Sequence, residues 1–266
     1  MKKTLGICGD SFMATKNYEE GVDNGYGKHF TEILAKKLDC DLITYARGGC
    51  SNQAIRLQID EIIKHKPDHV IIGSTNPDRI EVPTSDLTVK DYREKWYKGN
   101  YMPATGLFNI DYSGYYETYV AANHEGFKNN TPTLRSETLS NIFDYTAPGA
   151  LYTKAQLDAL ERYFHVIYDY TWKMQQDSWI LSDGLHKLKH YGISYHFICY
   201  GLYTFDSKIH GEGFVGREDN LNPWKYYSIE KPTPYSFHLT EEDEITLANL
   251  WYKELKNKLS CKKSLL

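Results

Sequence analysis

The chain has 266 residues, 31 basic and 35 acidic side chains and a net charge of −4, which argues against a surface for coating a nucleic acid, since that requires a basic face. Hydrophobic residues at 41% and a mean hydropathy of −0.57 describe a soluble protein, most simply one domain over 1–266 with an insertion at about 80–150. Met1-Lys2-Lys3 leads straight into a short strand, with no apolar run of signal-peptide or membrane-spanning length, so a cytoplasmic location without membrane association is expected.

The first element is a strand at Leu5–Cys8, which breaks into a tight turn, Gly9-Asp10-Ser11-Phe12. Gly9 permits the bend and Asp10 can hydrogen-bond its own turn. After a glycine-containing loop, Phe30, Ile33, Leu34 and Leu38 mark one face of a helix. A second strand at Leu42–Ala46 ends in Arg47-Gly48-Gly49-Cys50-Ser51-Asn52, and a helix with Ile55, Ile59, Ile62 and Ile63 follows. Pro67-Asp68 stops that helix before a third strand, His69–Gly73, which opens into Ser74-Thr75-Asn76-Pro77-Asp78. Strands separated by helical patterns imply parallel βαβ units and a helix-flanked sheet.

The alternation dissolves from about Glu81 to Gly149, a polar stretch rich in tyrosine, among them Tyr97, Tyr115 and Tyr116. A structureless loop of that length is improbable in a compact domain, so the stretch reads as an inserted lid or subdomain. Thr153 and Gln156 make a capping-box pattern for a helix continuing through Leu157, Leu160, Phe164, Ile167, Thr171 and Met174. A second helical piece through Leu181, Leu185 and Leu188 is ended by Gly192, before a fourth strand at Ile193–Tyr200. A loop-like stretch then leads to a last helix, capped by Thr240 and buried along Leu247, Trp251, Leu255 and Leu259. The fold class expected is a three-layer α/β/α sandwich, with a mainly parallel sheet of four to five strands and the insertion over the strand carboxyl ends.

Five cysteines, Cys8, Cys40, Cys50, Cys199 and Cys261, lack metal-type spacing. Cys8 and Cys199 lie in apolar strand patterns and read as buried free thiols of a reducing compartment. His186 and His190 stand i, i+4 on a helix without an evident third ligand, which favours a solvated face over a metal site. His65 and His69 flank a helix end and need no functional account. No metal and no cofactor is expected.

Acyl transfer by serine needs a nucleophile, a base, and donors where the oxyanion forms. Ser11 is the candidate nucleophile, Gly48-Gly49 lets backbone N–H groups approach a ligand, Asn76 offers a side-chain amide, and His238 precedes the last helix on the same sheet edge. Asp10 and Thr75, beside Ser11 and Asn76, are expected to line the substrate site. Tyr97, Tyr115 and Tyr116 have two readings: packing of a subdomain poor in aliphatic residues, or an aromatic platform for sugar rings or a flat partner surface.

These residues resemble the SGNH, or GDSL-type, hydrolase family, over roughly residues 4–79 and 190–258. The resemblance implies a flavodoxin-like sandwich in which Ser11 is the nucleophile and its own N–H an oxyanion donor. It also implies Gly49 as second donor, Asn76 as third and His238 as base. The function it implies is a serine esterase acting on a small ester, such as an O-acyl group on a carbohydrate; an acyltransferase would use the same machinery. Two positions depart from the family pattern. The third-strand motif is one residue longer, so Thr75 stands where the asparagine is expected. Tyr235 stands where the family carries an aspartate three residues before the histidine. Asp183-Gly184-Leu185-His186 reproduces that Asp-x-x-His spacing, but in a helical pattern before a strand rather than before the last helix. The departures motivate a second reading, a binding or structural module on the same scaffold, with ligand held by the tyrosine-rich insertion.

Overall fold

Short apolar runs separated by amphipathic helices pair through crossovers, and a crossover returns each strand parallel to the last. The computed structural model describes residues 2–10, 12–14, 29–46, 51–77, 155, 159, 162, 166–200, 202, 213–227 and 239–260. Among these, β1 (Lys3–Cys8), β2 (Cys40–Thr44), β3 (His69–Gly73), β4 (Ser194–Ile198) and β5 (Phe214–Val215) form one sheet in the order β2-β1-β3-β4-β5. All four pairings are parallel, with Cys8 opposite Ile72 and Gly73 opposite Ile198.

The helices are α1 (Phe30–Leu38), α2 (Asn52–Lys64), α3 (Tyr170–His190) and α4 (Glu241–Ser260). Strand side chains alternate between faces, so each strand feeds two cores. Leu5, Ile7, Ile71 and Ile198 pack with Phe30 and Leu34 of α1 and Leu247, Trp251 and Leu255 of α4. Cys8, Val70, Ile72 and Phe197 pack with Ile55, Ile59 and Ile62 of α2 and Leu181, Leu185 and Leu188 of α3. The result is the three-layer α/β/α sandwich. Trp251 is fully buried, and its Nε1–H donates to the Leu221 carbonyl at 3.0 Å. Trp251→Ala is expected to cost about 3–5 kcal/mol of unfolding free energy in a denaturant titration.

Local signals set the boundaries. The Ser51 side chain caps α2 by accepting the Ala54 N–H, and the Thr240 hydroxyl caps α4 by accepting the Asp243 N–H. Gly192, with φ 66°, closes α3 as its sequence position predicts. Two elements differ from expectation. The helix expected from Thr153 through Met174 is interrupted at Tyr168 and Asp169, where the Asp169 carboxylate accepts the Trp172 N–H at 2.6 Å and starts a new helix. Val166 and Ile167 are 79% and 70% exposed, so the apolar spacing there is not a buried stripe, and α3 runs unbroken to His190. β5 lies in a stretch that reads as loop, because two residues are too few to show a period. Among the described residues, no helix is long and apolar enough to cross a membrane.

At the amino ends of β3 and β4 a hydrogen-bond chain runs in one direction. The Lys258 ammonium can only donate, so His196 Nε2 accepts from it at 3.3 Å and His196 carries its proton on Nδ1. That proton is donated to His69 Nε2 at 2.8 Å, and His69 Nδ1–H then donates to Ser194 Oγ at 2.8 Å. Ser194 Oγ–H ends the chain on the Asp68 carbonyl at 2.8 Å. Both imidazoles are therefore neutral. Burial, then the positive charge that a protonated His196 and Lys258 would present, pushes His69 down to about 3. Burial and Lys258 push His196 down to about 4, with Glu254 opposing them. His69, which reads from sequence as needing no functional account, is part of a buried polar chain within the sheet.

Candidate active site

In this strand order the chain leaves β1 toward β2 on one side, while β3, β4 and β5 lie on the other. The crevice outside the carboxyl ends of β1 and β3 is the topological switch point, where open α/β sheets bind ligands. Gly9 and Asp10 leave β1 there, and Ser74, Thr75 and Asn76 leave β3 beside them.

The turn after β1 is fixed from several sides. Gly9 has φ 149°, and a Cβ added to it would lie 2.4 Å from Met13 Cγ. The same methionine atom would lie 2.6 Å from a Cβ on Gly73, so Met13 fills the space that both glycines leave open. Gln58, buried on the apolar face of α2, accepts the Gly9 N–H at 2.7 Å and donates to the Gly9 carbonyl at 3.1 Å. The Asp10 carbonyl accepts the N–H groups of Met13 and Ala14, and its carboxylate Oδ1 accepts the Phe12 N–H, each at 3.0 Å. Both residues flanking Ser11 are buried and held.

The β3 end is tied to this turn. Thr75 Oγ1–H donates to Asp10 Oδ2 at 2.6 Å, and both side chains are fully buried. Asn76 is partly exposed. Its Oδ1 accepts the Tyr170 hydroxyl at 3.0 Å, which turns the amide nitrogen away from Tyr170. Tyr168 OH donates to the Pro77 carbonyl at 3.2 Å, so the start of α3 braces the same loop. At the end of β3, Asn76 is thus partly exposed, while the Thr75 hydroxyl faces inward to Asp10.

An aromatic wall stands beside the turn. Phe12 stacks on Trp224 with ring centroids 3.6 Å apart, and Trp224 stacks on Tyr200 at 3.5 Å and 4°. Tyr227 meets the edges of Phe12 and Trp224, and the Arg217 guanidinium lies 5.8 Å from the Tyr200 ring centroid. Ser74 Oγ fixes Tyr200 by accepting its N–H at 2.6 Å and donating to its carbonyl at 3.0 Å. The wall thus joins the ends of β1, β3 and β4 to the short 3-10 turn at Pro223–Lys225.

Ser11, Gly49, His238, Tyr97, Tyr115, Tyr116, Tyr235 and the insertion at about 80–150 lie outside the described residues. Asp183 and His186 sit mid-helix in α3, where Asp183 accepts the Arg56 Nε–H at 2.7 Å and both side chains are exposed. Asp183 thereby ties α3 to α2. Cys8, next to Gly9, is a free buried thiol that burial pushes well above its usual range, and Cys199 is pushed up to about 12. Neither supplies a thiolate at neutral pH. Sequence reasoning missed Gln58, Asn52, Asp177, Tyr170 and the Trp224–Tyr200 stack. Gln58 and Asp177 were detectable as polar residues at buried positions of otherwise amphipathic helices.

No protein-family profile matches the sequence, and no curated protein matches it. Among solved structures, one that is similar is an acetyl xylan esterase from the rumen bacterium Butyrivibrio proteoclasticus. It has a TM-score of 0.44 and 10% identity, over 97% of this chain and 64% of that one. The chain thus spans less than two thirds of that protein's length. A second, from Desulfitobacterium hafniense and described as lipolytic and of the G-D-S-L family, has a TM-score of 0.23 and 16% identity, over 61% of this chain and 97% of that one. Neither likeness is near enough to carry a reaction across to this chain.

Proposed function

We propose that the chain is a serine hydrolase of the SGNH type that cleaves small esters, with O-acyl groups on carbohydrates as the substrate class. One observation carries the reading: β1 and β3, neighbours at the switch point, end in Gly9-Asp10 and Thr75-Asn76, joined by the 2.6 Å bond from Thr75 to Asp10. That bond ties together the residues preceding Ser11 and Asn76. In the reaction, Ser11 Oγ attacks the ester carbonyl while His238 takes its proton. The N–H groups of Ser11 and Gly49 and the Asn76 amide receive the oxyanion. The protonated His238 gives its proton to the departing alcohol, and water then releases the acyl group. The Tyr170 hydroxyl engages Asn76 Oδ1, which leaves Nδ2 as the donor to the site. Tyr97, Tyr115 and Tyr116 supply the surface that meets the sugar.

p-Nitrophenyl acetate tests the reading. Wild type should hydrolyse it, and Asn76→Ala should lower kcat about 10²–10³-fold with KM little changed. Wild-type turnover no faster than buffer, or an Asn76→Ala variant as fast as wild type, overturns the assignment. Tyr235 in place of the expected carboxylate favours a second reading, a binding module without turnover, and that reading predicts the first of those two results.

A further inference from the structure

Thr75 lies past the last paired residue on both sides of β3, since the ladders end at Cys8–Ile72 and Gly73–Ile198. Its backbone groups are nevertheless buried and need partners. Asn52, the first residue of α2, supplies them from a side chain. Its Oδ1 accepts the Thr75 N–H and its Nδ2 donates to the Thr75 carbonyl, both at 2.9 Å. The second Nδ2 proton goes to Asp177 Oδ2 at 2.9 Å. A carboxylate accepts and does not donate, so Asp177 holds Nδ2 on the side of the Thr75 carbonyl and leaves Oδ1 for the Thr75 N–H. Lys173, one turn earlier on α3, pairs with Asp177 Oδ1 at 2.5 Å and balances its charge. Asn52 and Asp177 are fully buried.

We propose that Asn52 and Asp177 are positioning residues for ester cleavage: they pin the backbone of Thr75 and thereby set where Asn76 stands beside the Gly9-Asp10 turn. The inference rests on the serine-hydrolase reading above. With its N–H given to Asn52 and its hydroxyl proton to Asp10, Thr75 has no donor left for an oxyanion, and the donor role passes to Asn76. This accounts for the extra residue in the third-strand motif. A buried ion pair adds little to stability over apolar packing of the same volume. The geometry it holds at Asn76 gives the pair a reason to be there.

The test is saturation kinetics of a small fluorophosphonate on the full chain, with the adduct located by mass spectrometry. The variants are Asn52→Asp and Asp177→Asn, both near-isosteric, and Arg56→Met. Arg56 lies between the same two helices, paired with Asp60 at 2.8 Å and with Asp183. Asn52→Asp and Asp177→Asn should lower the limiting labelling rate at Ser11 about tenfold or more, with half-saturation within about twofold. Arg56→Met should lower the melting temperature yet leave the limiting rate within about twofold of wild type. A merely structural role for Asn52 and Asp177 would not separate these effects. Should Asn52→Asp fail to fold, Asp177→Asn, which keeps an acceptor toward Asn52, carries the comparison. Wild-type limiting rates in the folded variants overturn the inference alone, as does an equal slowing in Arg56→Met. A wild type that takes no adduct at Ser11 overturns the inference together with the hydrolase reading.

Discussion

Lowering the pH from 7 to 4 will remove on the order of 5 kcal/mol of folding stability through His69 and His196. Both are held below their unfolded value, His69 at about 3 and His196 at about 4, so the unfolded chain binds more protons over that interval. The stabilisation is therefore full above pH 6.5 and is lost progressively as the pH falls toward 4. The structural cause is the one-way chain from Lys258 through His196 and His69 to Ser194. Protonating His196 points an N–H at the Lys258 ammonium, and protonating His69 points one at the Nδ1–H of His196. Glu254, 3.4 Å from His196 Nε2, relieves the first conflict in part. Urea titrations from pH 7.5 to pH 4 measure the effect. The double variant His69→Gln/His196→Gln should show a shallower slope than wild type, which separates the imidazoles from the carboxylates. Equal slopes would contradict the account.

Ser11→Ala will lower ester turnover by a factor on the order of 10⁴ or more while the melting temperature stays within about 3 °C of wild type. The size follows from the proposed role: without the hydroxyl no acyl-enzyme would form, and only oxyanion stabilisation and binding would remain. The folded state should tolerate the change. The turn is held by Gly9, Asp10, Phe12 and Gln58, through backbone and side-chain bonds that the substitution leaves in place. A loss of activity accompanied by unfolding would point instead to a structural role for the serine.

Most of the architecture was legible because the residues that build it are periodic. The isoleucines of α2, the Leu247–Trp251–Leu255 stripe of α4 and the apolar runs of β1 and β3 each announce an element and a buried face. The Gly9 and Thr240 signals were legible for a local reason, since a turn and a cap are chemistry between near neighbours in sequence. Contacts between residues far apart in sequence were not. Asn52 to Asp177 spans 125 positions and His69 to His196 spans 127, and neither residue of a pair carries a mark that names its partner. Asp10 and Thr75, 65 positions apart, share a hydrogen bond that nothing beside either residue in the sequence announces. The break before α3 escaped because Ile167 continues the helical spacing while standing exposed. A period alone does not tell a buried stripe from an exposed one.

The central claim is that the turn after β1 carries an activated serine. Treatment of the full wild-type chain with a small fluorophosphonate, followed by peptide mapping in a mass spectrometer, addresses it most directly. The account predicts a single adduct on Ser11 that is lost in Ser11→Ala. A folded protein that takes no adduct, or takes it at another serine such as Ser51 or Ser74, would contradict it.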